Sequence, residues 1–302
     1  MIELLARLFA RHDTPEDRLI RMAIDAIVAG TDPRLRAAAG VDNRLREPAR
    51  TAICYVRQLA DRLGPAVELS AAVYGSDPRV RALFGSVDSM RQIIARDTAL
   101  RTFEREAGHQ AGDEVFALLL AERRLKHVLG MDLQGEVVMR DLAKTLLVFS
   151  KHRLRAVAAS EAASGRAMRI LAFRQLVAAA RRRVEDARAG RPADLDAGQT
   201  DDPVVADMTA RLRRSGPSAL VLDDYLVLVA RVLAQPGRQL PIRTFTATVD
   251  RMGAMVEDAT TRSDADRITL WELARPDGDV PTIAIRVRLR PTDFPQPMPE
   301  VL

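Results

Sequence analysis

The stretch VVMRDLAKTLLVFSKHRLRA, residues 137–156, decides the fold, because its apolar residues fit two incompatible periods. Met139, Leu142, Leu146 and Phe149 recur at steps of three and four, as on one face of a helix. Within it, Thr145–Phe149 is rich in β-branched and aromatic side chains and also reads as a strand. We prefer the helical reading, and both readings stay open over residues 136–158.

Toward the N-terminus the helical spacing continues. Thr14-Pro15-Glu16-Asp17 opens a helix with Thr14 as N-cap and Pro15 in the first turn. A longer helix is expected from about Asn43 to Leu63, with Pro48 near its start. Others are expected at about 87–107, 113–129 and 161–189. In the last, Ile170, Phe173, Val177, Ala180, Val184 and Ala187 form a narrow seam suited to a partner helix.

GTDPRLRAAAG, residues 30–40, returns as GSDPRVRALFG, residues 75–85. In each copy an aspartate, Asp32 or Asp77, can cap a helix whose first turn holds Pro33 or Pro78, and Gly40 or Gly85 can end it. Shared helix punctuation explains the likeness, and a degenerate repeat near 15–63 and 60–107 is the alternative.

Toward the C-terminus the pattern changes. GRPADLDAGQTDDP, residues 190–203, is polar and rich in Gly, Pro and Asp, so 191–203 reads as a linker or exposed loop. Short helices are expected after Asp202-Pro203 and over 218–234. Beyond Gly237 the apolar period falls to two. Ile283, Ile285, Val287 and Leu289 alternate with Arg286, Arg288 and Arg290, and Pro276-Asp277-Gly278 marks a turn. Residues 241–291 therefore read as a small antiparallel sheet with one face packed and an arginine face wet. The expected fold class is mainly α (α+β): a multi-helix N-terminal domain over 1–190, then 204–302 with helices followed by that small sheet.

Charge is unevenly placed. The formal net charge is +5, yet residues 140–191 alone hold thirteen basic and four acidic residues. Lys126, Lys144 and Lys151 are the only lysines, and an arginine-dominated, alanine-rich composition weakens any argument from arginine number alone. Cys54 is the single cysteine, which excludes an intrachain disulfide and argues against structural zinc. The N-terminal segment IELLARLF is amphipathic but short and poor in basic residues, which suits packing better than membrane anchoring. No stretch reaches the ~18 apolar residues of a membrane span, and a cytoplasmic protein is the expectation.

Chemical motifs are sparse. Phosphate loops, dinucleotide fingerprints, zinc-protease motifs and nucleophile elbows are lacking. Glu106 and His109 have the spacing used in di-iron bundles, but no second copy exists. Asp223-Asp224 reads as the start or cap of an apolar helix. No catalytic, cofactor-binding or metal-ligating residue is assigned, and no cofactor is expected. Candidate anion or nucleic-acid contacts are Lys151, His152, Arg153 and Arg155, with Arg174, Arg181, Arg182, Arg183 and Arg188 on the later helix. Aromatic side chains for base stacking are missing there, so nucleic-acid contact would be led by the backbone and sequence-nonspecific. Arg286, Arg288 and Arg290 form a candidate partner face. By elimination the chain reads as a non-enzymatic binding, adaptor or regulatory protein acting through protein–protein contacts, with another protein or through self-association. The first alternative is a nucleic-acid-associated protein using 140–191; the second is an enzyme whose site is assembled from dispersed residues.

Overall fold

Residues 137–156 lie in a strand. The structure, a computed structural model, describes residues 14–107, 113–134, 137–189, 211, 214, 221–256, 265–274 and 280–294. The amphipathic segment 2–9, the linker at 191–203, the helix after Asp202-Pro203, the turn at 276–278, His109 and the tail beyond 294 lie outside the described residues.

In chain order the helices are α1 (Pro15–Thr31), α2 (Val41–Arg62), α3 (Ala71–Ser76), α4 (Pro78–Phe84), α5 (Val87–Ala95), α6 (Thr98–Ala107), α7 (Glu161–Arg188), α8 (Leu222–Ala234) and α9 (Pro236–Gln239). A 3-10 turn occupies Pro33–Ala37, and another Pro291–Asp293. The strands are β1 (Val67–Leu69), β2 (Val115–Gln134), β3 (Val137–Ala158), β4 (Ile242–Val249), β5 (Asp266–Leu273) and β6 (Thr282–Leu289).

All six strands belong to one sheet of order β3-β2-β6-β5-β4, with the short β1 added parallel to β6. The expectation of a mainly α chain with a small C-terminal sheet is therefore corrected. The three strands expected over 241–291 exist, but they are part of a larger sheet whose longest members are β2 and β3. Residues 113–129, expected as helix, lie largely in β2.

The physical reason for both misreadings is visible in burial. β2 runs between β3 and β6, and its first half is covered on both faces. Val115, Ala117, Leu119 and Ala121 enter the main core, while Leu118 points to a second cluster with Leu63, Met168 and Ala284. A strand buried on both faces is a continuous apolar run, which periodicity cannot tell from a buried helix. β3 is bulged three times, where its register against β2 shifts by one residue. Its inward residues are consequently Leu147, Phe149, Leu154 and Val157, and the alternation slips between 149 and 154 and again after it. Insertions of this kind turn a period of two into one that mimics a helix.

The helical punctuation was more explicit. Thr14 Oγ1 accepts from the Asp17 N–H at 3.1 Å, and Asp32 and Asp77 accept from the N–H groups of Arg34 and Arg79 at 3.1 and 2.8 Å. Gly40 and Gly85 take φ of 65° and 70°, the left-handed values that favour glycine there. The two copies nevertheless differ: Pro33–Ala37 is a 3-10 turn and Pro78–Phe84 an α-helix. Residues 87–107, expected as one helix, are two, because the Asp97 carboxylate accepts from the N–H groups of Ala99 and Leu100 and starts α6 afresh.

The chain divides into two compact units, each built from two segments. One holds the described residues up to Val56 and from 172 to Gln239. It is helical, with Ile20, Ile24, Ile27, Leu45, Leu176, Val184, Leu226 and Leu233 buried. Here Gly30 on α1 meets α7 so closely that a Cβ would lie 2.6 Å from Val177 Cγ1. Asp224 is buried, accepting from the Val221 N–H at 2.8 Å and from Arg211 at 2.6 Å. The other unit holds Arg57–Leu171 and the described residues from 240 onward, including the whole sheet.

In this second unit the two outer strands, β3 and β4, are linked through the turn after β4. Val256 N–H donates to Thr248 O, Met255 N–H to Thr145 O, and Leu147 N–H to Gly253 O, so residues 253–256 bridge β4 and β3. Gly253 is required in this turn: its φ is 80°, and a Cβ would sit 3.4 Å from Leu147 O. Asp250 holds the turn by accepting from the N–H groups of Met252 and Ala254. No described helix is long and apolar enough to cross a membrane.

Candidate anion-binding cleft

A cleft of about 810 Å³ opens where β3, the 250–253 turn, α4 and the α5–α6 corner meet. That is the size range of small-molecule sites. Its polar lining includes Arg81, Arg96, Lys151, His152, Arg153, Arg155 and Arg251, against Asp97, Asp250 and Asp266.

The second β3 bulge forms one wall. Lys151 has φ of 51°, a left-handed value that costs a side chain on the order of 1 kcal/mol or more. The same conformation recurs at Asp141 and Ala156, at the other two bulges. By adding a residue between Ser150 and Arg153, the bulge turns His152 inward. Its ring stacks on Phe84, with centroids 5.0 Å apart and planes 19° apart. Nε2 donates to the Leu83 carbonyl at 2.7 Å, since a carbonyl can only accept. Burial lowers the pKa of His152, outweighing the opposing bond to Leu83, so the ring is held neutral.

The acidic residues of the lining are committed internally. Asp97 accepts from Ala99, Leu100 and, across to β3, the Leu154 N–H at 2.8 Å. Asp250 serves its own turn, and Asp266 pairs with Arg81. Lys151 pairs with Glu122 at 2.9 Å, and its hydrogen bond, helped by Arg124, holds that carboxyl below the usual carboxylate range. Arg155 donates to Leu154 O at 2.9 Å. Arg96 and Arg251 are exposed and form no ion pair with any described residue. The cleft thus presents surplus positive charge beside a neutral, ring-stacked histidine.

Of the residues singled out by sequence, Lys151, His152, Arg153 and Arg155 come together in this cleft. Arg174, Arg181, Arg182, Arg183 and Arg188 belong to the part of α7 in the helical unit. There Arg181 pairs with Glu185 at 2.7 Å, while Arg188 pairs with Asp32 and lies 4.9 Å over the Tyr225 ring. Of the three arginines at and after β6, Arg286 departs from the expected wet face, while the Arg288 side chain is 41% exposed and Arg290 is exposed. Arg286 is only 16% exposed and donates to Gly64 O and Glu161, each at 2.8 Å. Arg288 pairs with Glu68 and Glu114. Sequence reasoning missed Arg81, Arg96 and Arg251, which lie far from the basic segment and look like any other arginine in this chain. Among the described residues no group of three or more His, Cys, Asp and Glu is placed to hold a metal ion. No protein-family model, curated protein or solved structure matches this chain.

The buried imidazole has a pH consequence. Its folded-state pKa is lowered below the ordinary ~6.5, so the unfolded chain takes up the proton first as pH falls. Stability from His152 is complete above about pH 6.5 and declines below it, down through the depressed folded value. In urea unfolding at pH 7.5 and 5.5, His152→Gln should show a smaller acid loss than the wild type. Equal losses in both proteins would mean the ring is not held neutral by the fold.

Proposed function

We propose that this is a non-enzymatic binding or regulatory protein whose cleft takes a compact anion carrying two or more phosphate groups. The observation behind this reading is the charge balance of the lining: its carboxylates serve the protein's own backbone or Arg81, whereas Arg96 and Arg251 are uncommitted. Phosphate oxygens are strong acceptors for guanidinium forks, and charge-assisted bonds are about twice as strong as neutral ones. A strained residue at Lys151, in the wall of the cleft, is the kind of feature that accompanies ligand sites. Backbone-led nucleic-acid contact is the second reading, favoured by the same cations. On α7, however, Arg181 and Arg188 are already engaged in ion pairs.

Calorimetric titration of the full chain with inorganic pyrophosphate and with ATP, at about 50 mM salt, tests the proposal. Saturable binding is expected. Arg96→Gln combined with Arg251→Gln should weaken it by about 10²- to 10⁴-fold, from two charged hydrogen bonds of about 1.5–3 kcal/mol each. The unfolding midpoint should hardly move, because both side chains are exposed. Absence of binding to either probe, or equal binding by the variant, would reject the cleft. A duplex oligonucleotide that displaces pyrophosphate, with affinity falling steeply between ~50 and ~200 mM salt, would instead favour nucleic acid.

A further inference from the structure

His152 lines the cleft with its orientation already fixed. Nε2 donates to Leu83 O at 2.7 Å, and the ring lies on Phe84, 19° from parallel. A nitrogen that donates to a carbonyl must carry the proton, so in the neutral ring Nδ1 is a bare acceptor. No described residue donates to Nδ1, and that atom is not sealed from solvent.

The charged groups around the ring leave Nδ1 without a counterion. From α4 comes Arg81 and from β5 Asp266, and these two pair. The α5–α6 corner brings Arg96 and Asp97, and the turn after β4 brings Asp250 and Arg251. β3 itself adds Lys151, which pairs with Glu122, together with Arg153 and Arg155. Asp97 and Asp250 accept from backbone N–H groups, and His152 forms no ion pair with any described residue. Burial keeps the ring neutral, and no carboxylate of the lining stands beside it to reverse that.

A phosphate in the cleft does reverse it. Ionised phosphate oxygens only accept, so an oxygen against a bare Nδ1 sets two acceptors together. A proton on Nδ1 turns that clash into a charge-assisted bond. Both nitrogens donate in the imidazolium, so Nε2 keeps Leu83 O and the ring need not turn off Phe84. The negative charge of the anion favours the imidazolium as well.

We propose that His152 is a further ligand of the anion beside Arg96 and Arg251, donating from Nδ1 to a phosphate oxygen, and that binding takes up a proton from solution. This role, which rests on the polyphosphate reading of the cleft, makes the protein hold the anion more tightly in acid.

Calorimetric titration of the full chain with inorganic pyrophosphate, at pH 7.5 and 5.5 and in two buffers of unlike ionisation enthalpy, tests the role. Pyrophosphate also titrates in this range, so the comparison is between wild type and His152→Gln. The glutamine amide nitrogen can replace Nε2 in the bond to Leu83 O but offers no site for a proton. The wild type should take up more protons per bound anion than the variant. Its affinity, relative to the variant, should rise about 10-fold on acidification, the factor that accompanies one pKa unit. Proton NMR gives a second measure without any variant. With saturating pyrophosphate, the C2–H resonance of one of the four histidines should titrate at least about one pH unit higher. Binding with equal proton uptake in both proteins and no displaced titration would overturn the role of His152 and leave the polyphosphate site standing. Absence of pyrophosphate binding would overturn both.

Discussion

Glu272→Ala should cost about 3–5 kcal/mol, the range seen when one partner is removed from a buried ion pair. Glu272 lies on β5 and is 2% exposed. Its Oε2 accepts from Arg123 Nε and Nη2 of β2 at 2.8 and 2.7 Å, and its Oε1 from Arg243 Nε of β4 at 2.8 Å. Arg123 is itself 15% exposed and sits 4.2 Å over the Phe245 ring, so without the carboxylate its charge stays buried with only the ring as counterpart. Arg243 is 64% exposed and can turn to water. Arg243→Ala should therefore cost no more than about 1 kcal/mol, like other exposed pairs. Fluorescence of Trp271, the single tryptophan and the neighbour of Glu272, reports unfolding of this unit in urea. A loss below about 1 kcal/mol for Glu272→Ala would show that Arg123 is not desolvated. Replacing both Glu272 and Arg123 by apolar residues of similar volume should recover much of the loss, because the cost comes from an unpaired charge.

That cluster also shows what a single sequence conceals. Glu272, Arg123 and Arg243 come from three strands, and none has a neighbour in sequence that marks it. Local signals succeeded where the cause of the structure is local: Thr14, Asp32 and Asp77 cap the backbone beside them, and Gly40 and Gly85 adopt conformations that disfavour other residues. β6 was legible because its inward face, Ile283 to Leu289, keeps a strict period of two. β2 and β3 failed for opposite reasons. Burial on both faces removed the alternation from β2, and bulges at Asp141, Lys151 and Ala156 displaced it in β3. The cleft was half legible. Lys151 to Arg155 stood out as a basic cluster, but their significance depends on Asp97, Asp250 and Asp266 being committed elsewhere, and only the folded chain shows this.

Ile285→Ala should cost about 2–5 kcal/mol, as for other core aliphatics truncated to alanine. Ile285 is 7% exposed, stands opposite Leu119 on β2 and belongs to the main core with Val115, Val287 and Leu289. Truncation removes its apolar contacts and leaves a cavity beneath a sheet that neighbouring strands hold in place. The next residue tests the other face. A wet arginine face predicts that Arg286→Ala is nearly neutral, within ~0.5 kcal/mol. In the structure that face is covered at Arg286 by the start of α7 and by the Gly64 turn, so both guanidinium bonds are lost on truncation. A charged hydrogen bond is worth about 1.5–3 kcal/mol when shielded, and the Glu161 pair, with its carboxylate half exposed, adds little. Arg288, 41% exposed and paired with Glu68 and Glu114, should cost less than about 1 kcal/mol. The expected order of loss in urea is therefore Ile285→Ala, then Arg286→Ala, then Arg288→Ala. A one-residue slip of β6 would exchange its two faces and put Arg286 in the core, so the order reports the register directly. Arg286→Ala as the most damaging of the three would indicate that slip, and three neutral variants would mean that β6 is not a packed central strand.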